Sequence, residues 1–96
     1  MLDLQLVKRT LIDLKPELIQ RYYVQSIGLF GSNVRSDFSP ESDIDIIVDF
    51  SKPVGMEFID LADYIEQKLH RKVDLVSRNG LKQKYFHQIE SEIIYV

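Results

Sequence analysis

Two aspartates alternate with apolar residues near the middle of this 96-residue chain, in the stretch Asp43-Ile44-Asp45-Ile46. Successive side chains of a β-strand point to opposite faces, so a strand here puts both carboxylates on one face, roughly 7 Å apart at the backbone. Two carboxylates on one face repel each other and raise each other's pKa. A cation between them removes that cost, and carboxylate oxygens suit Mg²⁺, with Mn²⁺ as an alternative.

A third carboxylate, Asp74, lies between Val73 and Leu75 in another apolar run. A charged residue there is not expected to belong to a core. If this run is a strand beside the strand of Asp43 and Asp45, the three carboxylates converge at one rim of the sheet. Such a rim can hold two metal ions, which clamp the attacking and leaving oxygens of an in-line displacement. The three aspartates are therefore the candidate catalytic and metal-binding residues.

Phosphate binding needs hydrogen-bond donors, and Gly31 and Ser32 offer them directly after an apolar run that ends at Phe30. Glycine lets the backbone approach a ligand closely, while Ser32 supplies a hydroxyl and can cap a following helix, whose N-terminus favours anions. Arg35 lies three residues beyond Ser32, where a guanidinium suits a triphosphate. These three residues are the candidate nucleotide-binding residues.

Apolar periodicity predicts the elements that position these residues. Apolar residues spaced three or four apart predict a first helix, and Pro16 is expected to divide it, with one helix ending near Leu14 and a second starting at the proline. Strands are predicted at 24–30, 44–50, 72–77 and 93–96, and helices at 57–70 and 81–90. The expected fold is α/β or α+β, with a small mixed sheet of three to four strands and helices on one face. Residues 1–96 are expected to form a single domain.

Composition excludes several classes of function. The chain has 12 Lys and Arg against 15 Asp and Glu, a net charge of -3, so it lacks the basic surplus of a protein that binds DNA directly. It has no cysteine, which argues against a disulfide framework or a thiolate zinc site and favours a cytoplasmic protein. The sequence contains no apolar stretch of about 20 residues, so no membrane association is expected.

Three phrases, LFGSNVR, SDIDIIVDF and KVDLV, together resemble the signature of the DNA polymerase β-type nucleotidyltransferase superfamily. The likeness is closest to the minimal nucleotidyltransferase (MNT) domains, which are stand-alone proteins of about this length. The resemblance is strong from about Ser26 to Ser77 and looser in the flanking helices and the C-terminal tail. It implies the nucleotidyltransferase fold.

The resemblance also implies a role for each motif. The glycine-serine pair at 31–32 would bind the nucleotide phosphates, the paired aspartates at 43 and 45 would bind metals, and Asp74 would serve a metal and the attacking hydroxyl. Arg35 matches an arginine common in the minimal group. Ser36 departs from the pattern, because that group often has a glycine there.

The activity implied is transfer of a nucleoside monophosphate from a nucleoside triphosphate (NTP), with ATP as the expected substrate and two Mg²⁺ ions as cofactors. Minimal domains of this type resemble the antitoxin half of toxin–antitoxin pairs whose toxin is a HEPN-domain ribonuclease. The resemblance implies that adenylylation of a tyrosine on that toxin silences it.

Two other functions stay open at this stage. The protein can neutralise its partner by binding alone, or transfer the nucleotide to a small molecule such as an aminoglycoside, with a homo-oligomer building the acceptor site across its interface. Asp49, His70 and His87 are interpreted as surface residues. Tyr85 and Phe86 are interpreted either as packing residues or as a partner surface.

Overall fold

The computed structural model describes residues 4–31 and 43–96. The described residues form three α-helices and four strands, with short 3₁₀ turns at Arg78–Gly80 and Glu90–Glu92. The elements are α1 (Leu4–Tyr22), β1 (Val24–Leu29), β2 (Ile44–Phe50), α2 (Met56–Leu69), β3 (Val73–Ser77), α3 (Gln83–Ile89) and β4 (Ile94–Tyr95). No helix within the described ranges is both long enough and apolar enough to cross a membrane.

The four strands form one mixed sheet in the order β3-β2-β1-β4. β1 is antiparallel to both β2 and β4, whereas β3 is parallel to β2. The chain reaches β3 from β2 through α2, and it reaches β4 from β3 through α3. This confirms the predicted mixed sheet and the α/β class.

Both faces of the sheet carry a core. The larger core joins one face to α1 and α2, and the smaller core joins the other face to α3. The smaller core consists of Phe30, Ile47, Phe86 and Ile89. The prediction of helices on one face is therefore wrong: Phe30 and Ile47 make an apolar patch on the second face, and burial of that patch requires a cover, which α3 provides.

The first helix runs without a break through Pro16, so the predicted division into two helices is also wrong. Its buried residues Val7, Leu11, Leu18 and Tyr22 continue the same stripe on both sides of the proline. Pro16 itself is on the exposed side. A proline removes the hydrogen bond to the carbonyl four residues earlier, which here belongs to Ile12. Ile12 is 52% exposed, so water can bind this carbonyl instead. Packing of the apolar stripe outweighs the local preference of proline.

The two crossovers of this sheet, through α2 and through α3, have the same hand. They move in opposite directions along the sheet and lie on opposite faces. Crossovers between parallel strands of one sheet are right-handed in nearly every known case. The placement of α3 on the second face is therefore what lets β4 return beside β1.

Candidate active site

Strand β2 separates core residues from carboxylates by simple alternation. Ile44, Ile46 and Val48 are fully buried in the larger core. Asp45 faces the other side of the sheet and is half-buried, and Asp43 immediately precedes the strand and is exposed. The predicted strand limits and the predicted division of faces are both confirmed.

The third carboxylate lies beside the second. β2 and β3 pair in parallel, and their register puts Asp45 directly opposite Asp74. Val73 and Leu75 are buried in the larger core, so the side chain of Asp74 stands on the opposite, exposed face. The condition for convergence of the carboxylates, that the two strands be neighbours, is therefore met.

The electrostatics of Asp45 reflect this arrangement. Burial, followed by the charges of Asp74 and then Asp43, raises the pKa of the Asp45 carboxyl to about 6. Each of these causes disfavours the ionised form. The charges of Asp74 and Asp43 thus oppose the ionisation of Asp45, which is a cost that a bound cation relieves.

Gly31 lies against the same carboxylate. Its φ is +70°, in the left-handed region that favours glycine, and a Cβ built on it would lie 2.5 Å from Oδ2 of Asp45. The backbone N–H of the preceding Phe30 donates to the carbonyl oxygen of Asp45 at 3.2 Å. Any side chain at position 31 would displace Asp45, a structural requirement that the sequence interpretation of Gly31 as a phosphate-binding residue did not include.

The other two predicted nucleotide-binding residues, Ser32 and Arg35, lie outside the described residues. Their roles remain predictions.

The donor set fits a divalent metal that arrives with a nucleotide. Within residues 4–31 and 43–96, no three or more acidic, histidine or cysteine side chains form a group that could hold an ion by themselves. Mg²⁺ does not need such a group, because it is usually held by one or two carboxylates together with substrate phosphates and water. Asp45 and Asp74 supply carboxylate oxygens from neighbouring strands, which matches that requirement. The raised pKa of Asp45 shows that its ionised form is disfavoured without a cation.

Helix α3 forms a wall beside the carboxylates on this face of the sheet. Phe86 and Ile89 are 4% and 9% exposed and pack on Phe30 and Ile47. The guanidinium of Arg78 lies 3.7 Å from the centre of the Phe86 ring. Sequence reasoning did not place this helix at the site. Ile47 could have indicated its position, because it is an apolar residue on the face of β2 that otherwise carries aspartates and so needs a covering element.

Comparison with known proteins identifies the family. A nucleotidyltransferase domain model matches residues 11–96. The chain belongs to the nucleotidyltransferase domain family. This nucleotidyltransferase is 40% identical over 97 residues to Protein adenylyltransferase MntA of Thermococcus cleftensis, and the match covers 100% of this chain and 98% of that protein.

Solved structures agree with this family. The nucleotidyltransferase is 26% identical to a protein assigned as a minimal nucleotidyltransferase, with a TM-score of 0.83 over 97% of this chain and 95% of that one. It is also 26% identical to a chain of a complex from Shewanella oneidensis, described as a tri-AMPylated HEPN toxin with an MNT antitoxin. There the TM-score is 0.69, over 96% of this chain and 70% of that one. The resemblance to minimal nucleotidyltransferases and the nucleotidyltransferase fold are confirmed.

Proposed function

We propose that this nucleotidyltransferase moves AMP from ATP to a tyrosine hydroxyl of a HEPN-type toxin and thereby acts as its antitoxin. The observation that carries the proposal is the pairing of Asp45 with Asp74 on one face of the sheet, with Gly31 packed against Asp45. The named activity of the MntA relative and the described contents of the Shewanella oneidensis complex support the choice of AMP and of a HEPN toxin. The absence of cysteine favours the cytoplasm as the site of the reaction.

The proposed nucleotide site lies between the end of β1 and the start of β2. Gly31, with Ser32 and Arg35, would bind the β- and γ-phosphates, and Asp43 and Asp45 would hold two Mg²⁺ ions. Asp74 would be the metal-binding carboxylate on the acceptor side. When bound, the metal supplies positive charge that neutralises the phosphate oxygens and lowers the pKa of the acceptor hydroxyl.

The proposed step is a single displacement at the α-phosphorus. A bond forms between the acceptor tyrosine oxygen and the α-phosphorus, while the bond from that phosphorus to the oxygen bridging the β-phosphate breaks. Pyrophosphate leaves with the bonding electrons. Asp74 accepts the tyrosine proton, either directly or through one water. Residues 1–96 form one minimal nucleotidyltransferase domain in this proposal, and the acceptor tyrosine belongs to the toxin.

The test uses the purified nucleotidyltransferase, the HEPN-type toxin proposed as its partner, Mg²⁺ and ATP labelled at the α-phosphate. We expect label on the toxin and a mass increase of one AMP on a tyrosine peptide. Asp45→Asn should abolish labelling. Asp49→Asn is the matched control, because Asp49 lies on the same strand and the same face, two residues beyond Ile47. This variant should label the toxin as wild type does.

Two results would contradict the proposal. The first is neutralisation of the toxin by an Asp43→Ala/Asp45→Ala double variant with no label on the toxin, which would indicate an antitoxin that acts by binding alone. The second is transfer of AMP to a small molecule such as an aminoglycoside while the toxin stays unlabelled.

A further inference from the structure

We propose that Tyr85 of α3 contacts the acceptor where it reaches Asp74 on strand β3. This inference rests on the proposed function, which already puts the acceptor on the Asp74 side, and adds an acceptor-binding residue. Its starting point is the order of the strands at the site, which fixes what lies on each side of Asp45.

The strand order puts Gly31, the proposed phosphate-binding residue, and the third carboxylate, Asp74, on opposite sides of Asp45. β1, which ends just before Gly31, borders β2 on one side, and β3, which carries Asp74, borders it on the other. In-line displacement requires the attacking oxygen to enter opposite the leaving group. With pyrophosphate held on the Gly31 side, the acceptor hydroxyl must enter from the Asp74 side.

The β3 side of the site is accessible. β3 is the outermost strand at its end of the sheet, and Asp74 is exposed. Val73 and Leu75 turn into the larger core, and Val76, which shares the site face with Asp74, packs against the smaller core farther along the strand. An acceptor segment can therefore reach Asp74 without displacing a core residue.

Tyr85 stands at the border of this approach. Phe86 and Ile89 face the sheet and fix the rotation of α3, which runs from the end of β3 back toward the start of β4. Successive side chains of a helix are rotated by about 100° around its axis. Tyr85 therefore lies on a flank of α3 and does not point at the sheet. The crossover from β3 to β4 is expected to be right-handed. With this hand, the residue before Phe86, which is Tyr85, lies on the flank of α3 that faces β3. The Tyr85 side chain is 47% exposed.

An exposed aromatic ring beside an acceptor site suits an aromatic acceptor. Aromatic pairs prefer offset or edge-to-face contacts and stabilise association beyond their buried area. The phenol ring of an acceptor tyrosine, brought to Asp74 by the partner, would pair with Tyr85 in this way. Tyr95 provides a comparison, because it is 53% exposed but lies on β4, at the far edge of the sheet, with its ring against Gly28.

The experiment is steady-state AMP transfer to the purified toxin by Tyr85→Ala, Tyr85→Phe and Lys84→Ala. We expect Tyr85→Ala to raise KM for the toxin about five- to tenfold, with KM for ATP and kcat unchanged. Tyr85→Phe should restore the wild-type KM because it keeps the ring. Lys84 is an exposed residue on the outward side of the same helix, so Lys84→Ala should behave as wild type.

The outcomes separate this inference from the proposed function. Wild-type protein that transfers no AMP to the toxin overturns the proposed function and this inference with it. Wild-type transfer with an unchanged toxin KM in Tyr85→Ala overturns the inference alone. A rise in KM for ATP in that variant also overturns it, since the ring would then contact the nucleotide. Equal melting temperatures of Tyr85→Ala and wild type exclude misfolding as the cause of any change.

Discussion

The two faces of strand β2 differ sharply in the residues that they carry. One face carries Ile44, Ile46 and Val48, which are completely buried under α1 and α2. The other face carries Asp45, whose neighbour across the sheet is another carboxylate, and only Ile47 on it joins a core. One seven-residue strand thus contributes stability through one set of alternate residues, and we propose that it contributes chemistry through the other. Substitutions on the two faces should have opposite effects.

The largest expected effect is the loss of AMP transfer in Asp45→Asn. Metal-assisted charge stabilisation is worth several kcal/mol in the transition state, so the rate should fall roughly a thousandfold. The metal-free variant should melt at a higher temperature than wild type, because the neutral amide removes the repulsion and the burial cost that raise the pKa of Asp45. Single-turnover kinetics and thermal unfolding in chelator measure the two effects. A lower melting temperature would contradict the division of roles between the faces.

The adjacent residue on the other face should give the opposite result. Ile46→Ala removes a fully buried side chain from the larger core, and the free energy of unfolding should fall by about 3 kcal/mol. Urea unfolding measures this change. AMP transfer per folded molecule should stay near the wild-type value at a temperature where the variant is folded. A thousandfold loss of transfer in the folded variant would show that the two faces are not independent.

Gly31→Ala should affect both stability and activity, because Gly31 joins the backbone to the carboxylate face. An alanine at φ +70° costs about 1–2 kcal/mol, and its Cβ would also push on Oδ2 of Asp45. We expect a lower free energy of unfolding together with slower transfer. Gly55→Ala is the matched control, since a Cβ at Gly55 meets no atom within 4 Å. Unchanged transfer in Gly31→Ala would argue against contact between position 31 and the Asp45 carboxylate.

The smallest expected effect is a pH dependence of stability in the metal-free protein. The pKa of Asp45 is about 6 in the folded chain, against an ordinary value of 3.8, so the folded state binds more protons between these two pH values. The contribution is complete below about pH 4 and is lost as pH rises through 6. After screening by solvent it should amount to about 1 kcal/mol. Unfolding of wild type and Asp45→Asn across this range should diverge, and parallel curves would contradict the pKa shift.

Much of the site could be predicted because its information is local. The alternation of carboxylates and apolar residues in β2 fixes which side chains share a face, whatever the rest of the fold does. The same alternation in β3 places Asp74 away from the core. Alternation does not show which strands are neighbours in the sheet. The pairing of Asp45 with Asp74 depends on the path of the chain through α2.

The errors in the fold prediction share one physical cause. Proline at position 16 predicts a helix boundary from local preference alone, yet the buried stripe of α1 holds the helix together on both sides of it. The side on which α3 packs depends on Ile47 and Phe30, which come from two different strands. In both cases tertiary packing decided an outcome that local sequence could not.

The parallel pairing of β2 with β3 also bears on how activity appears during folding. Hairpin contacts form early because they are close in sequence, but Asp45 and Asp74 meet only after the whole of α2 has formed and crossed the sheet. A partly folded chain that contains β1 and β2 alone has Gly31, Asp43 and Asp45, yet lacks Asp74, the carboxylate that we propose serves the acceptor. AMP transfer should therefore be gained in a single late step of refolding, coincident with burial of Val73 and Leu75, and not in proportion to early secondary structure.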